Sequence, residues 1–510
     1  MTKIKLILSL VGIVALWGLI TPLFEFPDEQ AHFGTTTFLN SQKRLPTYHE
    51  ADMNKEMHET QQLLGVLRDD KGNNSYTYHP EHNLEYTNDF VGKYELDIKK
   101  LNTPANRSTY IKEEAARYPK LYYLFSGLFL KIVNSKDLIT RVFTVRLSSL
   151  FITAAMALTL YQSGLLIFKN KLSAFTLASI TMLQPMFTFT TAGINSDNLY
   201  NLLFMVILYF CLKIIKNGIN PKNILLLTLT IAASIYTKPQ GLIALPIVFT
   251  ALGLYILKER RFKLIGWVLA ILVLVISISW PQLQKYQAFF TVQNLHQAVL
   301  IDYLKFSLNK LLTQNVVWYW GVFKWLGVVL HPIYWRVANR VILLSAFGLL
   351  IYFYKAIKKR SIIANPLMII FLILSTLIYA GVIFWFDWQY VKGWGFSLGI
   401  QARYFFPTIL AHMALIQTGL LSFGRNKRTK TWINRGLVLL FIWLQLGGLW
   451  TVIRSYYSTL NLYTFIIQVS QYKPFYAKGN WWYLWFGIYS LSLTYMTSLL
   501  VFKNHNSKTK

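Results

Sequence analysis

The chain has one cysteine, Cys211, which excludes a disulfide framework and any cysteine-based metal site. Charged residues make up 14% of its 510 positions, against about 25% in an average soluble domain. That shortage excludes an ordinary soluble enzyme, a disordered chain and a coiled coil. Acidic residues are scarcer still outside one stretch. Of 21 Asp and Glu, 17 lie between Glu25 and Asp137, and only Asp197, Glu259, Asp302 and Asp387 lie elsewhere. There is no HEXXH, no Walker motif and no GxGxxG, so the common zinc-hydrolase and nucleotide-binding signatures are missing.

What is abundant is apolar surface, 54% of the chain, together with a net charge of +30. Placing the charges removes the nucleic-acid reading. Residues 25–138 hold 14 Lys and Arg against 17 acids, or −3, so the remainder carries 37 against 4, or +33. Those cations fall in short clusters between apolar runs, the pattern of an integral membrane protein. Runs near the 20 or so residues a membrane helix needs occur at 6–24, 142–168, 172–190, 198–216, 223–237, 240–257, 264–280, 338–354, 366–386, 404–422, 434–453 and 481–502. The expectation is an all-α integral membrane protein of about twelve spans. It divides into a first span (1–24), a large extracytoplasmic loop with interfacial helices (25–138), spans two to seven (139–280), a second such loop (281–337), and spans eight to twelve with a cytoplasmic tail (338–510).

Sidedness follows from charge. With Lys3 and Lys5 inside, every second connection should be basic, and these are: Lys169 and Lys171; Lys213, Lys216 and Lys222; Lys258, Arg260, Arg261 and Lys263; Lys355, Lys358, Lys359 and Arg360; Arg425 to Arg435; and the tail from Lys503. Both termini are then cytoplasmic, in the cytoplasmic membrane. Residues 119–134 are apolar but short; making them a span would invert the alternation, so they are expected to lie along the outer interface. The first run is too long for a cleaved signal, and no small-x-small site precedes Phe24. The aromatics of 318–335 suit helices in the headgroup layer.

Chemistry is expected at the outer rim. Asp28 and Glu29 in FEFPDEQAHF follow the first span; adjacent carboxylates at a membrane surface should have at least one raised pKa, as a general base needs. Pro27 favours a helix start there, with His32 on the face of Asp28. An acidic helix N-terminus explains the same residues without chemistry. Asn195, Ser196 and Asp197 stand before another span, as functional acids or as ordinary N-caps. Lys238 in YTKPQG and Arg403 in IQARYFFP are cations on the side that should lack them. They pair with a lipid phosphate or snorkel to the interface, and Arg141 and Arg146 invite the same two readings. Tyr78-His79-Pro80-Glu81-His82 has metal-ligand residue types at poor spacing.

Taken in order, PDEQAH after the first span, Tyr118-Pro119-Lys120-Leu121-Tyr122-Tyr123, Gly193-Ile194-Asn195-Ser196-Asp197, the Thr-Lys-Pro at Lys238 and Gln401-Ala402-Arg403-Tyr404-Phe405-Phe406-Pro407 resemble the bacterial membrane family known as domain of unknown function 2142. That family is similar to the GT-C superfamily of glycosyltransferases, which use polyprenyl-phosphate sugars. Gln401-Ala402-Arg403 stands where the family usually has Gln-Gly-Arg. The resemblance implies a GT-C-like fold with Asp28, or less readily Glu29, as catalytic base. Asp197 falls at a second acidic site, and Lys238 and Arg403 at the lipid phosphate. His32, Asn195, Gln401 and Tyr404 are expected around the substrate. No cofactor is required; a divalent metal between Asp28 and Asp197 is compatible with the pattern.

The expected activity is transfer of a sugar from a polyprenyl-phosphate carrier to an extracytoplasmic acceptor, a cell-wall polymer, lipid-linked glycan or protein, with inversion. The alternatives are a lipid-glycan flippase or transporter, a glycan polymerase and a non-catalytic assembly protein. A transporter should bury charge within its spans, and here the spans are nearly free of acids.

Overall fold

Long apolar runs with few interior charges form helices because in lipid each backbone N–H and C=O must be satisfied within its own segment. The computed structural model describes residues 2–113, 115, 116, 118–260, 292–358, 360, 362–457 and 459–501, with scattered positions between 261 and 291. Among them, eight helices are long and apolar enough to cross a membrane: Lys3–Ile20, Leu138–Phe168, Ser196–Asn217, Pro239–Glu259, Pro332–Ile357, Pro366–Trp394, Ala402–Leu421 and Lys427–Tyr456. The run at 172–190 is a broken one. Lys171–Met182 and Pro185–Ala192 meet at 67°. Pro185 has no N–H to continue the first helix, and the Gln184 side chain caps the second by accepting from Phe187 N.

The count of twelve is therefore not reproduced. Pro221–Ile235 has 15 residues, short for a crossing, and about half of the run at 264–280 lies outside the described residues. Trp481–Val501 is a further 21-residue helix packed on the first. The apolar segment at 119–134 is a 12-residue helix, Leu121–Ile132. Two ladders of two residues each accompany the helices, Met53–Asn54 with Tyr110–Ile111 and Val322–Phe323 with Val328–Val329.

The basic ends meet away from the first connecting loop. Lys216 Nζ donates to Leu166 O at 2.9 Å, and Lys355 Nζ to Ser422 O at 2.6 Å. Small residues draw the 332–357 and 402–421 helices together: a Cβ on Gly348 would stand 2.1 Å from Gly419 O. Ser345 Oγ donates to Ile416 O at 3.0 Å in the same contact. This contact fixes the helix that begins beside Arg403.

The first loop is tied down by buried ion pairs. Arg146 donates to both Glu29 oxygens (Nε–Oε1 2.8 Å, Nη2–Oε2 2.6 Å) and to the carbonyls of Gly18, Thr21 and Pro22. Arg141 pairs with Glu56, both buried. Neither arginine is a phosphate ligand or a snorkelling cation; each neutralises a loop carboxylate. The aromatics of the second loop also differ from expectation. Trp320 and Phe323 are buried inside the protein rather than set in a headgroup layer, and Trp320 Nε1 donates to Asn339 Oδ1 at 2.8 Å.

Candidate active site

The first apolar helix ends at Ile20, and the chain turns through Phe24 and Asp28, both with positive φ. Asp28 (φ 59°, ψ 17°) is the cap of the Glu29–Gln42 helix that begins after Pro27. Asp tolerates this left-handed geometry better than most residues. The bend parts the two adjacent acids. Glu29 turns into the protein to meet Arg146 and the N–H groups of Phe24 (3.1 Å) and Ile194 (3.3 Å). Asp28 turns the other way, into a cavity of about 680 Å³.

The expected residues reach that cavity from four separated parts of the chain. Asp28 and His32 come from the first loop, and Asn195 and Asp197 from the start of the 196–217 helix. Lys238 precedes a short 3-10 turn, and Gln401, Arg403 and Tyr404 open the 402–421 segment. All eight were expected at the site. Glu29 was too, and it does not line the cavity; its carboxylate serves the buried pair with Arg146. Its assignment as an alternative base is corrected on that ground.

Asp28 Oδ1 accepts from Arg68 Nη2 at 2.5 Å, and Oδ2 from Arg403 Nη2 at 2.7 Å. Arg403 Nε donates to Gln401 Oε1 at 2.8 Å, while its buried Nη1 has no hydrogen-bond partner among the described residues. Lys238 Nζ pairs with Asp197 Oδ1 and lies 4.9 Å from the centre of the Tyr118 ring. Asn195 does two jobs: Oδ1 caps the helix by accepting from Asp197 N at 2.8 Å, and Nδ2 donates to Pro27 O at 3.0 Å, joining two walls. His32 Nδ1 is 2.9 Å from Tyr123 Oη, and its ring stacks between Tyr118 and Tyr123.

Electrostatics correct a second expectation. Burial pushes the Asp28 carboxyl up, but the guanidiniums of Arg403 and Arg68 outweigh it and hold the group well below the usual carboxylate range. Burial lowers the Lys238 ammonium, and the Asp197 carboxylate more than restores it, so it stays firmly cationic. Burial takes His32 down to about 4, leaving it neutral at physiological pH. The raised carboxyl of the region is Glu25, driven up to about 8 by burial. The neighbouring Glu29 is thus not what sets the Asp28 carboxyl.

Among the described residues no three of His, Cys, Asp and Glu stand together as metal ligands. A cation between Asp28 and Asp197 would have to displace Arg68, Arg403 and Lys238 from their carboxylates. The donor set does not fit that expectation. His79 and Glu81 pair with each other at 2.9 Å on an exposed loop.

Sequence reasoning missed Arg68, one of 14 Lys and Arg in the first loop. Nothing in its surroundings distinguishes it until the fold brings it 4.6 Å above the Trp325 ring and onto Asp28. The Tyr200 and Tyr379 hydroxyls, 3.2 Å apart on the cavity wall, were missed for the same reason.

Two solved structures share parts of this architecture. ArnT from Cupriavidus metallidurans bound to undecaprenyl phosphate is 13% identical, with a TM-score of 0.43, over 97% of this chain and 77% of that one. The archaeal oligosaccharyltransferase AglB from Archaeoglobus fulgidus, in complex with an inhibitory peptide and a dolichol-phosphate, is 12% identical, with a TM-score of 0.37, over 88% of this chain and 56% of that one. At these TM-scores neither likeness carries an argument. No curated protein matches the chain. A family model does: that of "Predicted membrane protein (DUF2142)" matches residues 11–412, most of the sequence and every cavity residue discussed above. The chain belongs to the DUF2142 family of membrane proteins.

Proposed function

We propose that the protein is a membrane glycosyltransferase that moves one sugar from a polyprenyl-phosphate carrier to an acceptor on the extracytoplasmic side. The observation that carries the reading is the make-up of one cavity: a carboxylate, Asp28, faces Arg403 and Lys238 where the apolar helices end. A lipid phosphate needs cations at that depth, and Arg403 Nη1 is a buried donor without a hydrogen-bond partner among the described residues.

The acceptor hydroxyl attacks the anomeric carbon as the bond from that carbon to the phosphate oxygen breaks. Asp28 receives the hydroxyl proton, and the carrier leaves as polyprenyl phosphate. Lys238 and Arg403 stabilise the charge that develops on it. With both oxygens held by guanidiniums, Asp28 is a poor base at rest. An incoming phosphate competes for Arg403, so donor binding itself restores basicity to Asp28. Asp197 keeps Lys238 in place. No step is assigned to a metal ion or nucleotide, because the activated bond is already in the lipid.

The basic helix ends opposite the cavity support a cytoplasmic location for that end and for both termini. The test compares surface glycans with and without the protein, then supplies defined polyprenyl-phosphate sugars to purified material. Release of free polyprenyl phosphate supports transfer; failure of every donor favours the flippase or polymerase reading.

A further inference from the structure

Behind the Arg68–Asp28–Arg403 bridge lies a second cavity of about 200 Å³, which shares those three residues with the first. Its far wall carries Glu25, 2% exposed and unused by the mechanism above. Glu25 Oε2 accepts one hydrogen bond, from Tyr456 Oη at 3.1 Å. No cation pairs with it among the described residues. Lys324 is the nearest candidate, but its Nζ donates to Pro80 O, Asn83 Oδ1 and Ser455 O at 2.8–2.9 Å, which uses all its protons. The rest of the lining includes the aromatic residues Phe189, Phe323 and Trp325 beside Met186, Val322 and Leu326, with Thr77 and Asn73 as polar groups.

From this arrangement the geometry points to a binding site for a neutral, hydroxyl-bearing group, a sugar or polyol unit of the acceptor, with Glu25 as its hydrogen-bonding anchor. The volume suits one such unit. Aromatic faces meet its C–H surfaces, and a few directed polar groups fix its orientation. An anion would face the Asp28 carboxylate; a cation would face Arg68 and Arg403. A neutral polyol avoids both conflicts. Burial also holds the Glu25 carboxyl up to about 8, so at neutral pH it can donate as well as accept. The inference rests on the transferase reading for the word acceptor. The cavities share Asp28, so a hydroxyl held in the smaller one stands beside the base.

The test is saturation-transfer NMR on the purified protein with free N-acetylglucosamine, ribitol, glucuronic acid and glucosamine. Transfer to a neutral probe is expected in the wild type and in Glu25→Gln, with at least a ten-fold loss of affinity in Glu25→Leu. A measurement on unmodified protein backs this: diisopropylcarbodiimide should label Glu25 at neutral pH, with the bound neutral probe protecting it. Equal binding by Glu25→Leu, no neutral probe bound, no protection, or preference for the charged probes would overturn the proposal. Lys238→Ala separates the two readings: Lys238 lines the larger cavity and not the smaller one, so the change should lower transfer and leave neutral-probe binding intact.

Discussion

Two adjacent carboxylates and a third a few residues away end in three different states, and the fold rather than their spacing decides which. Glu29 is locked to Arg146 with both side chains buried. Replacing Glu29 with Gln strands a buried guanidinium, and the expected loss is about 3–5 kcal/mol, checked by denaturant or thermal unfolding in detergent. Glu25 gives a pH signature. Its pKa is 4.5 in the unfolded chain and about 8 when folded, where burial raises it by more than Tyr456 and Lys324 lower it. Between those values the folded state binds the extra proton, so Glu25 removes stability as pH rises from about 4.5 to 8. Glu25→Gln should therefore match the wild type near pH 4.5 and exceed it increasingly up to pH 8, in Tm measured across that window. A constant difference would contradict the assignment. Asp28, Lys238 and Arg403 were legible because cations and acids stand out at the edge of apolar runs. Arg68 and Glu25 were not, because one is an ordinary loop cation and the other reads as an ordinary interfacial acid until Tyr456 covers it.

At the scale of elements, the cavity depends on helices that touch through small residues. The 402–421 helix packs through Gly419 against Gly348 of the 332–357 helix. Gly348→Ala should cost about 1–3 kcal/mol by forcing the pair apart and should lower transfer, whereas Leu343→Ala, on an exposed position of the same helix, should do neither. Unfolding and transfer assays on the two variants check this. Element identity was legible where apolar runs were long, since length and composition suffice. The break at Pro185 was present in the sequence as a Gln-Pro step inside an apolar run, but composition alone reads straight through it. The extension of the 142–168 run back to Leu138 was hidden by Arg141, whose charge is met by Glu56 in the folded loop.

For the whole molecule, the claim is one of sidedness: the cavity opens on the face opposite the basic helix ends. The chain's lone cysteine, Cys211, is buried, so a cysteine-free background is one substitution away. In Cys211→Ala, Tyr48→Cys at the cavity rim should react with a membrane-impermeant maleimide added to intact cells. Lys171→Cys, an exposed position at the basic end, should react only after the membrane is opened. The reverse pattern would place the cavity in the cytoplasm and remove the proposed acceptors.

The most direct measurement is release of free polyprenyl phosphate from a defined polyprenyl-phosphate sugar by purified wild-type protein and by Asp28→Asn. The amide keeps the shape of the side chain and one acceptor for the guanidiniums. Folding should persist while release falls at least about 100-fold, within the range a positioned base contributes. Release at the wild-type rate by a folded Asp28→Asn protein would contradict the assignment of Asp28 as the base.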